Sequence, residues 1–333
     1  MRMLTALLLI LACLATACSR QANTASPPPA AQPGGQRPLK IVATVGMAAD
    51  LVRAVAGPHA EVSQLIGAGV DPHLYKPTRN DVAALMEADM IIYVGLHLEG
   101  KMTEILERQA ASKPALALGE VLPRELLLSD KVNSDNHDPH VWMDAGLFMQ
   151  SLPAIAARLA GSRPEHADEF LANAGRYREQ LQTLDDYAKK TLASIPAKQR
   201  VLVTAHDAFN YLGRAYGIEV VGIQGISTES EASVAGINAL LDLIVNREIG
   251  AVFTESSVSD KNLQALIAGA ASRGRTLKAG GELYSDAMGS TGTYEGTYVG
   301  MIDHNVTTIA RALGGDPPAR GLFGRLQEPK SHD

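Results

Sequence analysis

Cysteine is almost absent from this chain. Among 333 residues only Cys13 and Cys18 carry a thiol. Cys13 leaves with any cleaved leader, so the mature chain has no partner with which to form an internal disulfide. An exported protein built this way must rely on its apolar core. Runs of basic residues are missing as well. The formal charge is −6, and the loss of Arg2 with a leader makes it one unit more negative, which argues against a nucleic-acid partner. No short internal repeat is found, and no histidine-rich loop. The chain also lacks a His-Glu-x-x-His sequence, the usual mark of a helical zinc hydrolase.

What is present begins with an export signal. Arg2, the apolar stretch Leu4 to Leu14 and the small residues Ala15-Thr16-Ala17 before Cys18 read as a secretory leader of residues 1–17. It is too short to remain as a membrane span. Cys18 directly after the small residues resembles a lipobox cysteine, lipidated after cleavage. Plain cleavage at Ala17, giving a soluble periplasmic protein, is the alternative. Residues 18–38, rich in Pro, Gly, Gln and Ser, cannot bury enough surface to order themselves and read as a tether. Beyond it lies ample chain for two domains.

From Lys40 short apolar runs alternate with helical patterns, the signature of βαβ units and a parallel sheet. The first half offers strands at Lys40–Val45, Glu61–Ile66, Met90–Val94 and Ala115–Leu118, with helices such as Ala48–Ala56 and Asn80–Glu87 between them. Thr78 or Asn80 would cap the latter. The second half repeats the scheme at Val201–Ala205, Val220–Gln224, Ala251–Glu255 and Thr276–Ala279, with helices near Glu231–Asn246 and Asp260–Arg273. Between the halves, Phe170, Leu171, Ala174, Tyr177, Leu181, Leu184, Tyr187 and Ala188 form one helical stripe within Pro164 to Leu192. That is a single linking helix, or two shorter ones broken at Gly175. The expected fold class is α/β, with two lobes that each hold a mainly parallel four-stranded sheet flanked by helices and are bridged by one long rigid helix. The boundaries fall at 39–162 for the N-terminal lobe, 163–196 for the linking helix, 197–316 for the C-terminal lobe and 317–333 for a tail.

Four residues that favour metals stand where strand-like runs give way to loops: His73, His140, His206 and Asp286. Open α/β sheets bind ligands at the carboxyl ends of their strands, so side chains far apart in sequence meet there. In the triplets Asp71-Pro72-His73 and Asp138-Pro139-His140 the proline stiffens the loop that presents the imidazole. Three imidazoles and a carboxylate suit zinc and are tolerable for manganese. A bidentate Asp286 would raise the coordination to five and favour manganese. His137 reads as a solvated loop residue and His97 as a cleft-lining one. His59, His166, His304 and His332 carry no signal. Asp71 and Arg214 are expected to pair across the cleft and hold the lobes around the metal. Glu255 is the one strand-end carboxylate placed to act as a base.

The segments Gly-Val-Asp-Pro-His-Leu-Tyr (69–75), Gly-Leu-His-Leu-Glu (95–99), Asp-Pro-His-Val-Trp (138–142), Val-Leu-Val-Thr-Ala-His-Asp-Ala-Phe (201–209), Arg-Ala-Tyr-Gly (214–217) and Gly-Gly-Glu-Leu-Tyr-Ser-Asp-Ala-Met-Gly (280–289) carry a specific resemblance. Together, in order from about residue 39 to 314, they resemble the cluster A-I solute-binding proteins of bacterial ABC transporters, the zinc/manganese family of TroA-like lipoproteins. The resemblance implies two α/β lobes on one rigid helix, a single Zn2+ or Mn2+ held between them as bound solute, and His73, His140, His206 and Asp286 as its ligands. It also implies an ABC permease and its ATPase as partners, with the chain acting as a membrane-anchored monomer. Manganese-selective relatives often carry glutamate where this chain has His206. Zinc-selective ones often carry the histidine-rich loop that is missing here, so both metals stay open. The rival function is a secreted zinc-dependent hydrolase, but a fourth protein ligand would close the coordination position that catalysis requires.

Overall fold

The central strands of the first half are short runs of apolar residues that alternate with helices, and they pair in parallel. In the computed structural model, which describes residues 37–130 and 135–328, β1 (Leu39–Ala43), β2 (Ala60–Gln64), β3 (Met90–Tyr93) and β4 (Ala115–Ala117) form a sheet in the order β2-β1-β3-β4. Ile41 stands opposite Val62 on one side and Met90 on the other. Helices α1 (Gly46–Ala56), α2 (Arg79–Glu87) and α3 (Thr103–Ala110) connect the strands. Thr78 caps α2 in a reciprocal box with Asp81, so one of the two expected caps does the work. The leader, Cys18 and nearly all of the 18–38 tether lie outside the described residues. Among the described residues no helix is long and apolar enough to cross a membrane.

After β4 come two short helices outside the expected set, α4 (Ala145–Phe148) and α5 (Leu152–Ser162). The stretch carrying His140 runs straight into the core. Val141, Trp142 and Met143 are all fully buried. The linking helix α6 (Ala167–Ala193) runs for 27 residues, roughly 40 Å, and does not break at Gly175. A Cβ there would meet nothing, and a lone glycine costs only about 1 kcal/mol. Its apolar stripe buries Phe170, Leu181, Leu184 and Ala188; each fully buried leucine is worth roughly 2 kcal/mol. Leu171, expected in the stripe, is exposed.

The second half contains β5 (Val201–His206), α7 (Asn210–Tyr216), β6 (Glu219–Gln224), α8 (Val234–Asn246), β7 (Ala251–Glu255), α9 (Lys261–Ser272), β8 (Lys278–Leu283) and α10 (Tyr298–Ala312). Its four strands pair in parallel as two ladders, β5–β6 and β7–β8, with β5 lying beside β7. β8 runs past the strand expected at Thr276–Ala279, so that Gly280-Gly281 lies inside it. A Cβ on Gly280 would strike the Phe253 ring at 2.7 Å, and Gly281 takes φ +131. The register is irregular between Val252 and Thr254 opposite. Glycine is what lets the ladder pass this bulge. One core runs through the first half, α6 and α10, and a second lies between α8, α9 and strands β5 and β7. The chain after α10 stays attached: Leu326 is buried and Leu322 N–H donates to Asp303.

Candidate metal centre

His73, His140, His206 and Asp286 converge. Each is almost fully buried, and one donor atom from each lies within 4.8 Å of the others. Asp286 Oδ2 stands 3.1 Å from His206 Nε2 and 3.6 Å from His73 Nε2. Its Oδ1 stands 3.3 Å from His140 Nε2. The Nε2 atoms of His73 and His140 are 3.4 Å apart. An ion with bonds of about 2.1 Å in tetrahedral geometry leaves about 3.4 Å between its ligand atoms. His206 Nε2 and both Asp286 oxygens are buried without a hydrogen bond of acceptable geometry. Buried polar atoms in that condition are costly unless something else satisfies them.

Local chemistry aims each ring. His206 closes β5 and Glu255 closes β7. The Glu255 carboxylate accepts from His206 N–H at 2.8 Å and meets His206 Nδ1 at 2.5 Å. Gly222 makes room for that strand end: a Cβ there would lie 2.5 Å from Asp207 N. His140 is held in the same way by Asp138, whose Oδ1 accepts from His140 N–H at 3.0 Å and meets Nδ1 at 2.7 Å. Such carboxylate–imidazole pairs fix the ring tautomer and leave Nε2 free to ligate. Asp71 Oδ1 accepts from His73 N–H at 2.8 Å, which tightens that loop around Pro72. Asp286 follows β8 by three residues. Its neighbour Ser285 accepts from Trp142 Nε1 at 2.8 Å, and Trp142 O accepts from Tyr298. The His140 loop is thereby fastened to the Asp286 loop.

The electrostatics divide the three histidines. Burial pushes His73 down to about 4, against an opposing pull from Asp286. Burial acts on His140 in the same direction, but Asp138 and then Asp286 outweigh it and hold the imidazole up at about 9. His206 is likewise raised, because Glu255 and Asp286 overcome its burial. Asp286 is held well below the carboxylate range although burial works against this, through His206 and then His140.

Four of the expected residues thus meet, and others stand elsewhere. Glu255 touches His206 with both oxygens, so it orients a ring and is not the base that a hydrolase would need. Asp71 and Arg214 do not form the expected pair. Arg214 has nearer partners: it donates to Leu126 O at 2.6 Å, lies 3.5 Å from Asp144 and sits over the Tyr211 ring. Asp71 does bridge the halves, but through Thr228, which donates to Oδ2 at 2.5 Å. Lys101 and Glu229 form an ion pair in the same cleft. His97 is exposed, with φ +67, and it lines with His73 and His137 a cleft cavity of about 370 Å³. Asp138 and Thr228 escaped the sequence reading. The Asp-Pro-His triplet held a signal for the first, but nothing in the sequence marked the second.

The Asp71–Thr228 hydrogen bond makes the cross-cleft contact testable. Asp71→Asn and Thr228→Val are each expected to speed metal release by roughly tenfold, given about 1.5 kcal/mol for a hydrogen bond to a charged group. The double variant should be little worse than either single one. Stopped-flow release into excess chelator measures the rates; fully additive effects would show that the two residues act independently.

Two α/β halves that bring three imidazoles and a carboxylate together in one buried cluster define a metal-binding carrier rather than a catalyst. Comparison with known proteins agrees. Residues 41–312 match the family model described as ZnuA, zinc-uptake complex component A, periplasmic. The chain is 46% identical over 275 residues to the manganese-binding lipoprotein MntA of Bacillus subtilis, covering 83% of this chain and 90% of that one. It is also 46% identical over 277 residues to the zinc-binding protein TroA of Treponema pallidum, covering 83% and 89%. The solved periplasmic zinc-binding protein TroA of Treponema pallidum superposes with a TM-score of 0.80 at 45% identity, covering 83% of this chain and 99% of that one. The chain belongs to the zinc-uptake component A family of metal-binding solute-binding proteins of ABC transporters. It is not an enzyme, and the hydrolase reading falls with that.

Proposed function

We propose that this protein takes up one divalent transition metal ion, zinc or manganese, through Nε2 of His73, His140 and His206 and the carboxylate of Asp286, and passes it to an ABC permease driven by its ATPase. The observation that carries the proposal is the set of donor separations, 3.1 to 3.6 Å, in a buried cluster whose atoms lack other partners. Three neutral imidazoles and one carboxylate give a divalent ion a net charge of +1 in the site. Asp138 and Glu255 directly outside offset that charge, as burial of an ion requires. Intrinsic affinity favours zinc, while two carboxylate oxygens from Asp286 would make manganese welcome. One relative is named for manganese and another for zinc at the same identity, so identity does not choose between them.

The N-terminal lobe, linking helix and C-terminal lobe are taken as residues 39–162, 163–196 and 197–316. The chain acts as a monomer, exported and tied at Cys18 to the membrane surface by lipid, with residues 18–38 as slack. Deletion of the gene in its native host tests the function. Uptake of radioactive zinc or manganese should fall, the wild-type gene should restore it, and His206→Ala should not. Unchanged uptake of both ions in the deletion strain would refute the transport role.

A further inference from the structure

The turn before β2 and the start of α6 bring a second donor set together at the surface. His59 ends the 3-10 turn Gly57–His59, His166 ends the turn Pro164–His166, and Glu169 lies in the first turn of α6. The His59 and His166 rings stack with centroids 3.7 Å apart at 24°. His59 Nε2 lies 2.8 Å from Glu169 Oε2. One donor atom from each of the three residues lies within 4.8 Å of the others. Phe170, fully buried, stands edge-on to both rings and walls off one side. The other side opens to solvent: the His59 and Glu169 side chains keep 20% and 48% of their exposure.

We propose that His59, His166 and Glu169 form a second binding site for a divalent transition metal, separate from the cleft and exchangeable with solvent. Two imidazoles and a carboxylate are a zinc-type donor set, with water left to complete the coordination. Drawing the donors in to about 3.4 Å requires the two rings to turn out of their stack, so that both lone pairs aim at one ion. The ion would replace the proton shared between His59 and Glu169, and that lost hydrogen bond makes the site weaker than the cleft. Because His59 and Glu169 are 110 residues apart, an ion there would fasten the first lobe to the head of the linking helix.

Equilibrium dialysis of the untagged protein against Zn2+ tests this. Two equivalents are expected, one tight and one weaker. His59→Asn combined with His166→Asn should abolish the weaker step and leave the tight one, which also reports that the variant is folded. Glu169→Gln should weaken the second step at least about tenfold, the lower end of what losing even an outer partner costs. Conversely, His206→Ala should remove the tight step and spare the weaker one, so failure at the cleft and failure at the surface are told apart. A single equivalent in the wild type overturns the proposal, as does a weaker step that survives in the double variant. Should the double variant also lose the tight step, His59→Gln alone is measured, and an unchanged weaker step there overturns it equally.

Discussion

Replacing His206 with alanine is expected to weaken zinc binding by more than about a hundredfold while the fold survives. The loss of an outer partner of a metal ligand already costs about 10- to 100-fold, and here the ligand itself would go. The change also leaves Glu255, a buried carboxylate, without its ring partner Nδ1, keeping only the backbone N–H of residue 206. Part of the loss therefore comes from a buried carboxylate left with one partner fewer at the ends of β5 and β7. Calorimetric titration with zinc and with manganese reads the effect, and wild-type affinity for both would remove His206 from the ligand set. His206→Glu should instead move preference towards manganese, since an oxygen replaces a nitrogen.

The second large effect is pH. Ligation needs an unprotonated Nε2 on each ring, and the three rings differ before an ion binds. His73 is neutral down to about 4 because burial disfavours its charge. His140 holds its proton up to about 9 despite burial, through Asp138 and then Asp286, and His206 is raised through Glu255 and Asp286. An ion entering at neutral pH must therefore expel about two protons. While both rings carry their protons, lowering the pH strengthens the competition, and affinity falls by about a hundredfold per unit. Below pH 4 the His73 proton joins them. Three isolated imidazoles, each with a pKa near 6.5, would instead show almost no dependence above neutrality. Calorimetry in buffers of different ionisation enthalpy counts the protons released. About two per zinc at pH 7 is expected, and none would contradict the electrostatics.

Much of the site was legible because its residues sit in rigid, short motifs. Asp-Pro-His at 71–73 and 138–140, and a histidine ending a Val-Leu-Val-Thr-Ala strand, fix both residue type and position along the chain. The sheet pattern supplies the rest, since parallel strands deliver their carboxyl ends to one side. What escaped was direction across space. Arg214 lies on α7, but the nearest acceptors for its side chain are Leu126 O and Asp144, a choice that no sequence spacing encodes. Thr228 sits in a loop of Gly, Ser and Glu residues with nothing to set it apart, yet it meets Asp71 across the cleft. The helix α4 was hidden because its four residues fall short of the window over which periodicity is read, whereas α5 shows a helical stripe at Leu152, Ile155, Ala156 and Leu159 that escaped the sequence reading. The strand expected to end at Ala279 continues through Gly280-Gly281, since glycine marks turns in sequence but also serves bulged strands. His59 and His166 show the limit most plainly, since each alone looks like a surface histidine and only their stacking gives them meaning.

Anomalous diffraction from a crystal of the zinc-loaded protein, recorded at the metal absorption edge, tests the central claim most directly. The account predicts one strong peak in the cleft, at about 2.0 to 2.2 Å from Nε2 of His73, His140 and His206 and from at least one oxygen of Asp286. A cleft peak that misses any of these four residues, or a loaded protein with no peak between the lobes, would contradict it.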